Sequence, residues 1–112
     1  MRTELVSPNP TAPPAHSLYV ARSTRIPAGA EDVGAKPALA TLAAVADRLG
    51  GRPVLIAADD VAALFVEDHL AELGDRFRLP AQPAGLAHRL SHKGDLQRLC
   101  VANAIPAPES RF

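Results

Sequence analysis

The chemistry-bearing residues with the most telling spacing are Ser91-His92-Lys93-Gly94-Asp95, which open a short amphipathic run ending in Ile105-Pro106-Ala107-Pro108. With Ser91 as N-cap, Lys93 falls in the first turn of the helix that follows. Unpaired N–H groups and the positive end of the helix dipole face outward there. An ammonium is disfavoured at that end unless an anion lies close, and a phosphate would satisfy both amides and lysine. The plainer alternative is an exposed lysine with a small unfavourable interaction. Asp59-Asp60 form a second candidate, because they end an apolar run and ligands of α/β sheets collect beyond the carboxyl ends of strands. The competing reading, which we favour, is that one aspartate caps the next helix and the other is solvated.

Other constellations carry less. His88 and His92 stand at i, i+4, a metal-capable spacing, but a helix break at Ser91 separates them and Asp95 is the one carboxylate close by. Two surface histidines are the better reading, and no metal site is expected. Cys100 sits in an apolar helical register, as a buried inert thiol would. No Ser/His/Asp order, carboxylate pair for acid–base work or phosphate-cradling glycine loop is visible.

These residues must be positioned by a small α/β framework. At 112 residues there is room for one domain, and of its 47% apolar residues many are alanines with only 4% aromatics. Alanine contributes little on burial, so the core rests on a limited set of Leu, Val, Ile and Phe. The formal charge is zero, which gives no global attraction to nucleic acid or an acidic membrane. Locally the charges separate. Residues 59–75 hold six acids and no Lys or Arg, and residues 76–98 hold five bases against Asp95. Two solvated faces of opposite sign explain this more simply than a basic phosphate pocket. No stretch reads as a signal peptide or a membrane span, and the lone cysteine fits a reducing setting, so a cytoplasmic location is expected.

Taken in order, residues 1–16 carry four prolines and read as a disordered tail, with Pro10 and Pro13 at a chance PxxP spacing. A short strand or strand pair is expected within Ser17–Ile26, closed by Pro27, and a turn over Ala28–Lys36. Pro37–Leu49 is a helix with Leu39, Leu42, Val45, Ala46 and Leu49 on one stripe, ended by Gly50-Gly51. Pro53–Ala58 reads as a parallel strand buried on both faces, followed by a helix over Val61–Leu73. Asp75–Leu79 alternates as an edge strand, Pro83–Leu90 forms a short helix, and a last helix spans Lys93–Asn103. This order is that of an incomplete doubly wound, Rossmann-like α/β sheet with flanking helices.

From Ser17 to Ser110 the chain resembles the ATP-grasp carboxylate–amine ligase family, in the region leading from its pre-ATP-grasp domain into the ATP-binding domain. The residues that carry the likeness are Arg52-Pro53-Val54-Leu55-Ile56 with Asp59-Asp60, His69-Leu70-Ala71-Glu72-Leu73, and Arg76-Phe77-Arg78-Leu79-Pro80. Leu90-Ser91-His92-Lys93 and Ala102-Asn103-Ala104-Ile105-Pro106-Ala107-Pro108 complete it. The resemblance implies that residues 17–82 are a partial pre-ATP-grasp domain and 83–112 a helical linker and the start of the ATP-grasp domain. It implies a phosphate-binding role for Lys93 toward ATP, with Mg²⁺, in a ligase that forms an acyl phosphate. His92 stands where the family has Asp, and Ala104 where it has Gly. A residue with left-handed backbone is expected at Ala104 or Asn103, at a cost of roughly 1 kcal/mol if it is the alanine. The family's glycine-rich first turn and its adenine clamp have no counterpart here.

The expected function is therefore a fragment of such a ligase, inactive alone, whose partner is the remainder of the enzyme or another chain. A homo-oligomer is compatible with this. A second reading is a small α/β interaction module that needs a partner, marked by an exposed apolar sheet face. The weakest is a helix-turn-helix using Arg89, Lys93 and Arg98 on nucleic acid, which the neutral charge disfavours.

Overall fold

The computed structural model describes residues 1–9, 11–27 and 35–109. It is a mixed α/β protein that divides into two compact units, Met1–Pro53 and Val54–Phe112.

In the first unit, β1 (Glu4–Ser7) pairs in parallel with β2 (Arg22–Arg25), Glu4 opposite Arg22 and Ser7 opposite Arg25. Residues 1–16 were expected as a disordered tail, so β1 is a correction, as is the 3-10 helix at Pro13–His16. The prolines tolerate both, because none lies inside β1, where a missing N–H would break the ladder. Flanking bonds from Ala21 N–H to the Thr3 carbonyl (2.8 Å) and from Ile26 N–H to the Ser7 carbonyl (3.1 Å) extend the pairing. The strand expected in Ser17–Ile26 is its polar end, while Leu18 and Tyr19 are exposed. Residues 28–34 of the expected turn, and Pro10, lie outside the described residues.

Helix α1 (Lys36–Leu49) forms as its stripe predicts, with Ala38, Leu42, Val45 and Ala46 buried and Gly50 leaving it at φ +70°. Arg48 in its last turn binds Glu4 Oε2 at 2.7 Å and Thr24 Oγ1 at 3.3 Å, fastening α1 to both strands. The Glu4 side chain is only 1% exposed and also meets Arg2 at 3.1 Å. The Arg48 hydrogen bond holds its carboxyl below the usual range, against burial, which pushes the other way.

In the second unit, Asp59 caps α2 (Asp60–Asp68), its Oδ1 accepting from Ala62 N–H at 2.8 Å. The single helix expected over Val61–Leu73 is broken, and α3 (Leu70–Gly74) follows as a separate turn. The cause is local. His69 Nδ1 lies 2.8 Å from the Phe65 carbonyl, the acceptor that its own backbone N–H would need to continue the helix. That N–H bonds Val66 instead, at 3.2 Å. Leu73 and Phe77 are buried beneath.

The strand expected at Pro53–Ala58 is not buried on both faces. It makes one isolated parallel bridge, Val54 with Arg78, and a 3.1 Å bond from Leu55 N–H to the Arg78 carbonyl. Val54 is 64% exposed and Ile56 74%, where a central strand would have both buried. The Asp75–Leu79 edge strand reduces to that same bridge. A doubly wound sheet is thus not formed by the described residues, and the coarser α/β class is what holds.

Two helices close the chain, α4 (Leu86–Ser91) and α5 (Lys93–Ala102). The exit from α5 is a Schellman turn. Ile105 N–H reaches the Cys100 carbonyl (2.9 Å) and Ala104 N–H the Val101 carbonyl (3.2 Å), with Ala104 at φ +53°. Asn103 stays at φ −107°, so the alanine carries the left-handed conformation. Replacing Ala104 by Gly is expected to raise unfolding free energy by about 0.5–1 kcal/mol, the relief of Cβ strain less glycine's extra unfolded-state entropy. A urea midpoint for Ala104→Gly equal to or below the parent's would contradict this.

Candidate functional site

Lys93 is the first residue of α5, and Ser91, expected as its N-cap, belongs to α4. There the Ser91 hydroxyl donates to the Ala87 carbonyl at 2.7 Å and is spent. The cap is His92, whose Nδ1 accepts from Asp95 N–H at 3.3 Å. The same Nδ1 lies 3.3 Å from Asp95 Oδ2. One nitrogen cannot serve both: neutral, it accepts from the amide, and protonated there, it donates to the carboxylate. Gly94 leaves room for the ring, since a Cβ at that position would come within 3.3 Å of His92 Cε1.

Asp95 supplies the negative charge that the start of α5 favours. Arg98 bonds its Oδ1 and holds the carboxyl below its ordinary range, with His92 and Arg89 adding to the effect. Lys93 is exposed and makes no hydrogen bond or ion pair among the described residues. Its ammonium is therefore available to an external anion, although Asp95 already answers much of the helix's positive end. Asp59 is engaged as a helix cap and Asp60 opens α2, both exposed, and neither is bonded to Lys93. The structure does not join the three candidates into one hydrogen-bonded site.

The residue that positions α4 and α5 is one that sequence reasoning missed, Glu67. Gly85, at φ +77°, precedes α4 in the cap position and has no side chain to cap it. Glu67 from α2 reaches in, with Oε1 accepting from Ala87 N–H and Oε2 from His88 N–H, each at 3.1 Å. The carboxylate is only 6% exposed. Hydrogen bonds to a charged acceptor contribute on the order of 2 kcal/mol, and the helix dipole adds to that. No spacing rule connects Glu67 to Ala87. The available signal was a helix start with no capping side chain of its own.

His88 adds a second tie to α2. Its Nε2 lies 2.7 Å from Asp68 Oδ1 and 3.9 Å from Glu67 Oε2. His88 and His92 therefore turn to different carboxylates, His88 to α2 and His92 to α5, and do not converge on one ion. The acidic and basic runs meet in these contacts, with Glu67 and Asp68 facing α4. No group of three or more His, Cys, Asp or Glu suited to a metal is present among the described residues. Cys100 is half-buried.

The Asp68 hydrogen bond raises the His88 pKa above its usual value, with the two carboxylate charges assisting. A raised folded-state pKa means that this contact's stabilisation is fully present below about pH 6.5 and is lost as pH climbs through the raised value. The urea midpoint of the parent, relative to His88→Gln, is expected to fall between about pH 6 and about pH 8.5. A difference that stays flat or grows with pH would contradict the contact.

Compared with protein-family models, curated proteins and solved structures, the chain gives no match.

Proposed function

We propose that this chain is an α/β interaction module that works joined to another polypeptide layer. The observation that carries it is the segment Val54–Ala58. Leu55 is engaged by Arg78, the backbone N–H groups of Val54 and Ile56 make no hydrogen bond among the described residues, and the Val54 and Ile56 side chains are exposed. Exposed apolar side chains are costly to leave in water, and unpaired backbone groups beside them form a ready template for a further strand. Hydrogen exchange on the dilute chain tests this. The Val54 and Ile56 amides should exchange rapidly and the Leu55 amide, bonded to Arg78, more slowly. Protected Val54 and Ile56 amides at high dilution would show that the edge is already closed and end the reading.

A second reading keeps the ligase resemblance, with the chain as the pre-ATP-grasp, Rossmann-like part of an ATP-grasp carboxylate–amine ligase. Two features support it. The position where that family has glycine, Ala104, is the one that takes left-handed backbone at the end of α5. The Lys93 side chain makes no hydrogen bond or ion pair among the described residues and stands at the start of the same helix, where a nucleotide phosphate could meet it. Asp59 and Asp60 would border the crevice. ATP and Mg²⁺ would then belong to the completed enzyme, with the remaining domains as partner. Calorimetric titration with Mg-ATP is expected to show binding no tighter than millimolar. Micromolar binding abolished by Lys93→Ala would make the nucleotide reading primary.

A further inference from the structure

His92 stands between Ser91, the last residue of α4, and Lys93, the first of α5, with extended backbone at φ −92° and ψ 117°. Its ring lies against Gly94, where a Cβ would come within 3.3 Å of Cε1 and 3.6 Å of Nδ1. Nδ1 is 3.3 Å from the Asp95 amide nitrogen and 3.3 Å from Asp95 Oδ2. These partners demand opposite protonation states of one atom. Because Nδ1 is equally far from both, passing from one to the other needs no rotation of the side chain. The ring is 69% exposed, so water supplies the proton. An imidazole changes charge between about pH 5 and about pH 8.

The charged groups around the ring suit such an exchange. Asp95 divides its oxygens, with Oδ1 bonded to Arg98 and Oδ2 toward His92. Arg98 holds that carboxyl below its ordinary range, with Arg89 of α4 assisting, so it stays ionised over the whole interval. Lys93, beside the ring in the chain, adds a like charge. On α2, which packs against α4, Glu67 and Asp68 are engaged by α4 and His88. His88 offers the contrast. Its Nε2 donates to Asp68 whether the ring is neutral or charged, so titration strengthens that bond without exchanging it.

We propose that His92 is a proton-operated joint between α4 and α5. The neutral ring, with its hydrogen on Nε2, caps α5 through the Asp95 N–H. A proton taken from water onto Nδ1 ends that bond and is donated to Oδ2, completing a His92–Asp95–Arg98 chain with nothing displaced. The Asp95 N–H then turns to solvent. The first turn of α5 is uncapped in acid, while α4 stays fastened to α2. One bond replaces another, so the change is confined to the joint.

Nitrogen NMR of the imidazoles, with amide exchange, from about pH 8 to about pH 5 on the full chain tests this. At the alkaline end the His92 ring is expected in the Nε2–H form. As it titrates, protection of the Asp95 amide, corrected for the intrinsic rate, is expected to fall about five-fold, the loss of one cap. Ala87 and His88, bonded to Glu67, should keep theirs. His92→Asn retains an acceptor that does not titrate and should hold Asp95 protection constant, and His88→Gln should leave the change intact. Asp95→Asn removes the partner of the charged ring and should lower the pH at which His92 titrates. A neutral ring in the Nδ1–H form, Asp95 protection that does not follow the His92 titration, or a titration unmoved by Asp95→Asn overturns the proposal.

Discussion

A nearly enclosed carboxylate, Glu67, governs how the second unit is assembled. Helix α4 has six residues, too few to persist by its own hydrogen bonds, and Gly85 offers it no cap. Among the described residues the apolar side chains buried in that unit are Leu73, Phe77 and Ala87, a small hydrophobic contribution. Two charge-assisted bonds from Glu67 to the first turn of α4 supply what the core does not. They offset the cost of burying the carboxylate itself. α5, with Lys93 at its start and the proline-bearing exit at its end, is packed against α4 and takes its position from it.

The first unit is built in the same way. Glu4, enclosed and held by Arg48 and Arg2, ties the end of α1 to the β1–β2 pair, where a two-stranded sheet alone would be marginal. In both units a carboxylate fastens one element to another across the chain. An alanine-rich sequence with few aromatics leads to this outcome: helix faces are apolar enough to pack but too small to fill a deep core. The same shortage leaves Val54 and Ile56 uncovered, and that is why a second polypeptide layer enters the functional reading.

Legibility in the sequence tracks how local each interaction is. Helix α1, its buried stripe and its glycine exit follow from periodicity, and the Asp59 cap from residue type and position. The left-handed residue after α5 was foreseen to within one position. What escaped depends on side chains competing for backbone groups or on distant partners. His69 takes the Phe65 carbonyl and splits an amphipathic run that looks continuous. Ser91 spends its hydroxyl on Ala87, which leaves His92 to cap α5. β1 hid among prolines that border it without entering it. The Val54–Ala58 run has the composition of a central strand, but burial requires layers packed on both faces, and composition cannot supply those. The role of Glu67 was invisible because Ala87 and His88 are separated from it by the whole α3 segment.

The most direct measurement is amide exchange at Ala87 and His88 in the parent and in Glu67→Ala. If the carboxylate holds the second unit together, both amides lose protection in the variant, those of α5 weaken with them, and α1 in the first unit is unaffected. Unchanged protection at Ala87 and His88 would mean that α4 is held by something else, and the account of how Lys93 is positioned would fall with it.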